Sequence, residues 1–209
     1  MPSASVFELC GFFVQRQFLD RESCRLLMAE MSEARSERGR LVKAGIDEIL
    51  DDSLRRVAAA VVCKATRRRV KQRFFELAPG LEAHFGTRLA GCETPGFLIY
   101  DVGAFFAPHR DTGPDDPPDI RRRLVSAIVF LNQPSIGPLN EGYQGGTLRF
   151  YGLLDGPHWN ACPLPFEHEA GMLVAFRSDV LHEVQPVTVG RRFTLVTWFV
   201  GPRHGEGNR

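Results

Sequence analysis

A chain of 209 residues, 44% hydrophobic and 24% charged, is long enough for one globular domain with a sizeable core. Its formal net charge of +1 supplies no global field for nucleic acid or membrane lipid, and no run of apolar residues is long enough to cross a bilayer. Five scattered cysteines (Cys10, Cys24, Cys63, Cys92, Cys162) include no CxxC pair, and the first residues lack a basic stretch leading into an apolar one, which together predict a cytoplasmic protein with reduced thiols and no disulfides.

Val6 to Leu19 alternates weakly and reads as a strand or an extended lead-in. Asp20 suits the N-cap of a helix from Arg21 to about Arg38, with Cys24, Leu27, Met28, Met31 and Ala34 at helical spacing and Gly39 to end it. Leu41 to Ile49 is short and mixed. Asp51-Asp52-Ser53 offers a cap for a short helix through Leu54-Arg55-Arg56-Val57, and Arg55 is then either helix surface or a contact for an acidic substrate group. Arg67 to about Phe85 reads as a second long helix, striped by Val70, Phe74, Leu77, Leu81 and Phe85 and kinked or split at Pro79-Gly80. Arg67-Arg68-Arg69 reads as its solvated first turn, with a phosphate contact as the alternative.

From Pro95 the texture changes to short β-branched and aromatic runs separated by Gly, Pro, Asn and Asp. The strands expected are Gly96–Tyr100, Phe106–Arg110, Val125–Asn132, Thr147–Tyr151, Phe166–His168, Met172–Phe176, His182–Val187 and Arg192–Val200. Between them run three loops, Thr112–Arg122, Pro134–Gly145 and Gly152–Pro165. The pattern predicts an α+β chain, mainly β. It forms one domain over residues 1–209, with helical support over 1–94 and a double-sheet, jelly-roll core over 95–202.

The chemistry concentrates in this second half. His109 and Asp111 are two residues apart, so on an extended chain both point to one face. His182, in Val180-Leu181-His182-Glu183-Val184, can supply a third ligand from a facing strand. Two imidazoles and a carboxylate on one side of a metal, with the other positions open, is the donor set of non-haem Fe(II) oxygenases. Ten residues later stands Arg192, a guanidinium suited to grip a carboxylate with two parallel hydrogen bonds. If Arg192 faces the interior, strand alternation turns Thr194, Val196 and Trp198 inward too and Arg191 outward. His84, His158, His168 and His204 have no such context and read as surface or structural residues.

The ordered set Tyr100-x-x-Gly103-x-x-Phe106-x-x-His109-x-Asp111, Phe130-Leu131-Asn132, Gly145-Gly146-Thr147-Leu148, Gly171-x-Leu173-x-x-Phe176, His182-Glu183-Val184-x-Pro186-Val187 and Gly190-x-Arg192 resembles the prolyl-4-hydroxylase-like branch of the 2-oxoglutarate/Fe(II) dioxygenases. The resemblance spans about half the chain. It implies a double-stranded β-helix, Fe(II), 2-oxoglutarate and O2 as cofactors with ascorbate as an accessory reductant, and His109, Asp111 and His182 as metal ligands. Arg192 would then hold the distal carboxylate of 2-oxoglutarate, and Trp198 would line its pocket. Tyr100 stands where the family has a pocket tyrosine. Phe130 departs from the family, which often has a second tyrosine there, so Tyr100 or Thr147 is expected to supply the missing donor.

The activity so implied is hydroxylation of an unactivated C–H bond on a prolyl or other amino-acid or peptide substrate. A natural-product tailoring oxygenase is the alternative, and a non-catalytic, cupin-like metal sensor a remote one, since a sensor need not keep Arg192. A halogenase would have a small residue at Asp111. A nucleic-acid demethylase of this fold would carry a second arginine where Trp198 stands, and the net charge offers no attraction for nucleic acid. Neither nucleic acid nor membrane is expected as a partner, and the oligomeric state stays open.

Overall fold

The structure is a computed structural model and describes residues 3–38, 41–43, 46–49, 53–135, 142–154 and 162–203. The chain begins with helix α1 (Ser3–Leu9) and only then forms a strand, β1 (Phe13–Gln15). The expected extended lead-in is therefore half helix. Phe7 and Phe12, on either side of the turn, pack edge-on at 5.3 Å, and both meet Phe150 in the interior.

Helix α2 (Arg21–Glu33) starts where Asp20 accepts a 2.7 Å hydrogen bond from Ser23 N and buries Cys24, Leu27 and Met31. It ends five residues before the expected Arg38. Ser36-Glu37-Arg38 offers no apolar residue to continue the buried stripe and becomes strand β2 (Ser36–Arg38) instead. Strands β3 (Leu41–Lys43) and β4 (Ile46–Ile49) form a hairpin. The helix expected over Leu54–Val57 does not form. Its residues go to β5 (Arg55–Arg56), and β6 (Ala58–Ala60) follows, because the edges of two sheets take them as partners. Asp51 and Asp52 lie outside the described residues. Helix α3 (Lys64–Phe75) starts earlier than expected, at a cap formed by Cys63 Sγ, and α4 (Ala78–Phe85) follows. The break falls at Glu76-Leu77, which leaves Pro79 in the first turn of α4, where its missing N–H is harmless.

The remaining elements are β7 (Gly91–Cys92), β8 (Gly96–Tyr100), β9 (Phe105–His109), α5 (Pro118–Arg121), β10 (Arg123–Phe130), β11 (Tyr143–Gly145), β12 (Leu148–Phe150), β13 (Leu164–Pro165), β14 (Leu173–Arg177), β15 (His182–Val184), β16 (Val187–Gly190) and β17 (Arg192–Val200). Helix α5 forms within the expected loop Thr112–Arg122, and β13 at the end of the expected loop Gly152–Pro165. Further expectations change. Pro186 has no N–H to donate, and the strand expected over His182–Val187 is split there into β15 and β16. Phe166–His168 is irregular rather than a strand, joined to the sheet through the bond from Phe166 N to Leu148 O. Tyr143–Gly145, the end of an expected loop, is a strand paired with β16.

Two sheets face each other in an open jelly roll, not a closed barrel. The larger has the order β1-β14-β10-β17-β8-β6-β2, with β7 also on β17; the smaller runs β13-β12-β15-β9-β5. The first 94 residues thus supply strands to both sheets as well as helices. Central strands β10 and β17 read as continuous apolar runs because both their faces are covered. On the outer face, Val125, Ala127, Leu195 and Phe199 meet Leu27, Met31, Phe74 and Leu81 of the helices. On the inner face, Ile128, Phe130 and Val174 meet Leu148, Phe150 and Val184 of the smaller sheet.

Candidate active site

Strands β9 and β15 pair antiparallel with His109 directly opposite His182. Asp111 lies just past the end of β9, and its N–H donates to Ser178 O at 2.9 Å. His109 Nε2 is 3.7 Å from Asp111 Oδ1, His182 Nε2 is 3.7 Å from Asp111 Oδ2, and the three ligand atoms lie within 4.8 Å of one another. Each imidazole meets a backbone carbonyl through Nδ1, His109 at Ala107 O (2.8 Å) and His182 at Val180 O (2.9 Å). A carbonyl can only accept, so Nδ1 carries the proton and Nε2 presents its lone pair to the common point. Ser126 Oγ donates to Asp111 Oδ2 at 2.6 Å and also meets Ser178 Oγ at 2.9 Å.

The electrostatics suit a divalent cation. Burial pushes the Asp111 carboxyl up, but the two imidazoles and the Ser126 hydroxyl outweigh it and hold the group well below the usual carboxylate range. Burial and the neighbouring His109 bring His182 down to about 4, against the pull of Asp111. At neutral pH the site therefore offers one ionised carboxylate and a neutral His182. Aromatic rings wall it: Phe106 stacks on His109 with centroids 3.4 Å apart, and Phe176 packs edge-on against His182 at 4.9 Å. Arg55 lies over the Phe106 ring at 4.6 Å and lines the same cleft as the three ligands, so it faces the site from a strand rather than a helix surface.

Arg192 opens β17, opposite Tyr100 of β8, and is 1% exposed. Its guanidinium carbon lies 4.8 Å from the Tyr100 ring and 5.4 Å from the Phe130 ring. Among the described residues, Arg192 Nε and Nη2 and the nearby Thr194 Oγ1 have no hydrogen-bond partner. A buried cation with unpaired donors is costly unless an anion completes it. Room for its stem depends on Gly146, at φ +60°, where a Cβ would come within 3.0 Å of Arg192 Cδ and 2.9 Å of Val187 Cγ2.

The profile of the 2OG-Fe(II) oxygenase superfamily matches residues 95–200, half of the chain. The chain belongs to this superfamily. A PKHD-type hydroxylase of Shewanella baltica (strain OS155) is 34% identical over 116 residues, covering 55% of this chain and 46% of that protein. The chain spans about half the length of the curated relatives it matches. A Pseudomonas putida prolyl-4-hydroxylase superposes with a TM-score of 0.67 at 27% identity, covering 92% of this chain and 93% of that one. A prolyl hydroxylase from Trichoplax adhaerens, solved with a hypoxia inducible factor peptide fragment, shares the fold with a TM-score of 0.64 at 17% identity, covering 95% and 87%.

Fe(II), 2-oxoglutarate and O2 are the cofactors of this superfamily. The donor set here fits them: two imidazole nitrogens and a carboxylate for the metal, and a buried guanidinium in the same inter-sheet region with two donors unpartnered among the described residues. The expected site residues of the oxygenase fall in different places. Alternation along β17 turns Arg192, Thr194, Val196 and Trp198 to the inner face, while Arg191 is 41% exposed at its side chain and pairs with Asp101 at 2.8 Å. Trp198 lines the cleft above the metal ligands, its ring covered by Arg123 at 3.8 Å, and Glu93 holds Arg123 with bonds of 2.7 and 2.8 Å. Tyr100 is buried and contributes its ring to the Arg192 pocket. Thr147 is half-buried and bonded through its carbonyl to Gln185 N, and among the described residues its hydroxyl has no partner in the pocket.

The hydroxyl that reaches Arg192 belongs to Tyr143, which the sequence reading placed in a loop. Tyr143 Oη lies 2.8 Å from His168 Nε2, and His168 stacks on Phe130 at 3.6 Å. His84 is peripheral, with Nε2 3.1 Å from Gly11 O. His158 and His204 lie outside the described residues.

Proposed function

We propose that this chain is an Fe(II)- and 2-oxoglutarate-dependent hydroxylase of unactivated C–H bonds, acting on a peptide or amino acid with a prolyl residue as the first candidate. The observation that supports this reading is the juxtaposition of two incomplete sites between the same sheets: a His109–Asp111–His182 donor set and a buried Arg192 whose Nε and Nη2 lack partners among the described residues. A metal-binding sensor needs only the first. A cosubstrate that chelates a metal at one end and carries a carboxylate at the other needs both. The prolyl hydroxylases among its structural neighbours support the substrate class. Five free cysteines support a reducing, cytoplasmic setting, and among the described residues no helix is long and apolar enough to cross a membrane.

When bound, Fe(II) and 2-oxoglutarate supply the oxidising chemistry, in which O2 is consumed, 2-oxoglutarate becomes succinate and CO2, and one oxygen atom enters the substrate C–H bond. The protein's work is to bind, orient and keep water out. His109, Asp111 and His182 would hold the metal, beside the cleft that Val196 and Trp198 also line. Arg192 Nε and Nη2 and Thr194 Oγ1 are the donors that would take the distal carboxylate and so orient the cosubstrate. Phe106, Phe150 and Phe176 dry the ligands' other faces.

The test is a 2-oxoglutarate turnover assay against panels of prolyl peptides, other peptides and free amino acids, read by mass spectrometry for one added oxygen atom. Turnover coupled to oxygen insertion in the prolyl peptides is expected. Coupling only to non-amino-acid small molecules would favour a tailoring oxygenase, and an absence of Fe(II)-dependent succinate formation with every substrate would overturn the reading.

A further inference from the structure

We infer that His168 is a positioning residue for the cosubstrate, acting through Tyr143; this rests on the reading of Arg192 as the distal-carboxylate anchor. Tyr143 is fully buried on β11 and is held against Arg192 across the gap that Gly146 leaves open, where a Cβ would meet both Arg192 Cδ (3.0 Å) and Tyr143 Cε2 (3.2 Å). The other ring beside the guanidinium at this end, Phe130, has no donor. A dicarboxylate reaching Arg192 and Thr194 therefore finds the phenolic hydroxyl of Tyr143 at this end, besides the Tyr100 phenol whose ring lies 4.8 Å from the guanidinium carbon. Burial raises the Tyr143 pKa against the influence of Arg192, so the hydroxyl keeps its proton and can donate it.

What the hydroxyl does is set by its neighbour. His168 Nε2 is 2.8 Å from Tyr143 Oη. The imidazole lies flat on Phe130, with centroids 3.6 Å apart and planes at 10°, so it cannot swing away without losing the stack. Burial and the charge of Arg192 keep it neutral, with one ring proton. Two arrangements share this geometry. With Nε2 bare, Tyr143 donates to His168 and offers an anion nothing but oxygen lone pairs. With the proton on Nε2, His168 donates to Tyr143 and the phenolic proton is free for a carboxylate. An anion at Arg192 selects the second arrangement, a relay from His168 through Tyr143 to the carboxylate, in which each donor strengthens the next. A stacked histidine also fixes where the phenol stops, and so fixes how deep the distal carboxylate enters.

The experiment is calorimetric titration of 2-oxoglutarate into the Mn(II)-loaded chain without O2, which reads binding apart from turnover, with KM and kcat measured in parallel. Tyr143→Phe should weaken binding about ten- to a hundredfold, as for a lost hydrogen bond to a charged group. His168→Leu should weaken it about three- to tenfold, raising KM with little change in kcat. His168→Gln places an amide N–H near the former Nε2 and should recover most of the loss. His168→Leu in the Tyr143→Phe background should cost almost nothing more, because the relay has lost its middle. Normal affinity in His168→Leu, equal losses in the Leu and Gln variants, or additive losses in the double variant would each overturn the inference. Arg192→Ala in the same series separates the two readings. If wild type binds and Arg192→Ala fails while the His168 variants are normal, only the relay falls; if Arg192→Ala binds like wild type, the anchor reading falls with it.

Discussion

The two faces of strands β10 and β17 are a controlled comparison made by one backbone. Toward the helices they present Val125, Ala127, Val129, Leu195 and Phe199, all buried and apolar. Toward the smaller sheet the same strands present Ser126, Arg192 and Thr194 among Ile128, Phe130 and Val196. Both faces are shielded from water, so burial alone does not distinguish them. The difference lies in what is left unsatisfied. On the outer face the one buried polar side chain of β17, Thr197, donates to Glu93 O at 2.9 Å, while on the inner face, among the described residues, Arg192 Nε and Nη2 and the Thr194 hydroxyl have no partner. The outer face stabilises the sheet, and the inner face trades some of that stability for binding.

Substitutions on each face should therefore fail differently. The largest effect is expected at the metal ligands: His109→Ala, Asp111→Ala and His182→Ala should each abolish turnover and weaken Fe(II) or Mn(II) binding severely, measured by calorimetry. Retained activity in any one of them would remove that residue from the ligand set. Phe199→Ala on the outer face should cost about 3–5 kcal/mol of folding free energy. It should leave metal affinity unchanged in the fraction that stays folded, as denaturant titration and calorimetry would show.

Next in size is Arg192→Ala, which should weaken 2-oxoglutarate binding by about one to three orders of magnitude, since losing one partner of a buried charge pair costs about 2–5 kcal/mol. Metal affinity should not follow. Arg192→Lys should recover only part, because a point charge cannot reproduce the fork. Its neighbour is the control: Arg191→Ala removes a half-exposed pair with Asp101 and should cost under about 1 kcal/mol. If Arg191→Ala were the damaging change, the inner and outer assignments along β17 would be reversed.

The pH dependence of stability checks the inner face without any substitution. An unfolded histidine takes up a proton near 6.5, whereas folded His182 resists it until about 4. Below 6.5 the unfolded chain thus binds more protons than the folded one, so the metal-free protein should lose stability as pH falls from about 6.5 toward 4 and keep it above that window. His168, held well below its ordinary value by burial and by Arg192, adds in the same direction. Melting temperatures of the metal-free chain between pH 7 and pH 4 check this; a flat profile would contradict the neutral, buried histidines described here.

How much of this was legible beforehand follows from how each feature is encoded. His109, Asp111 and Arg192 lie on strands or next to them, where a period of two converts spacing directly into facing, so their placement could be read from the chain. Tyr143, His168 and Ser126 could not. Tyr143 sits in a stretch rich in Gly, Pro and Asn that reads as loop, and it meets Arg192 only through the pairing of β11 with β16. Ser126 reaches Asp111 across a separation of 15 residues and a change of sheet. A hydroxyl within an apolar run carries no local signal of such a role. The short strands β2, β5 and β6 were missed for a related reason. Each is two or three residues long, too short to show alternation, and exists because a neighbouring strand offers it an edge. The expected helix over Leu54–Val57 failed to this tertiary pairing, despite a favourable capping sequence.

The central claim is that the two incomplete sites between the sheets are halves of one. Titration of 2-oxoglutarate into the wild-type chain without O2, once with Mn(II) bound and once metal-free, tests it most directly. The account predicts one equivalent bound with the metal present and binding weakened by orders of magnitude without it, because the keto acid end has then lost its ligand while Arg192 keeps the other. Equal binding in both titrations, or none in either, would contradict it.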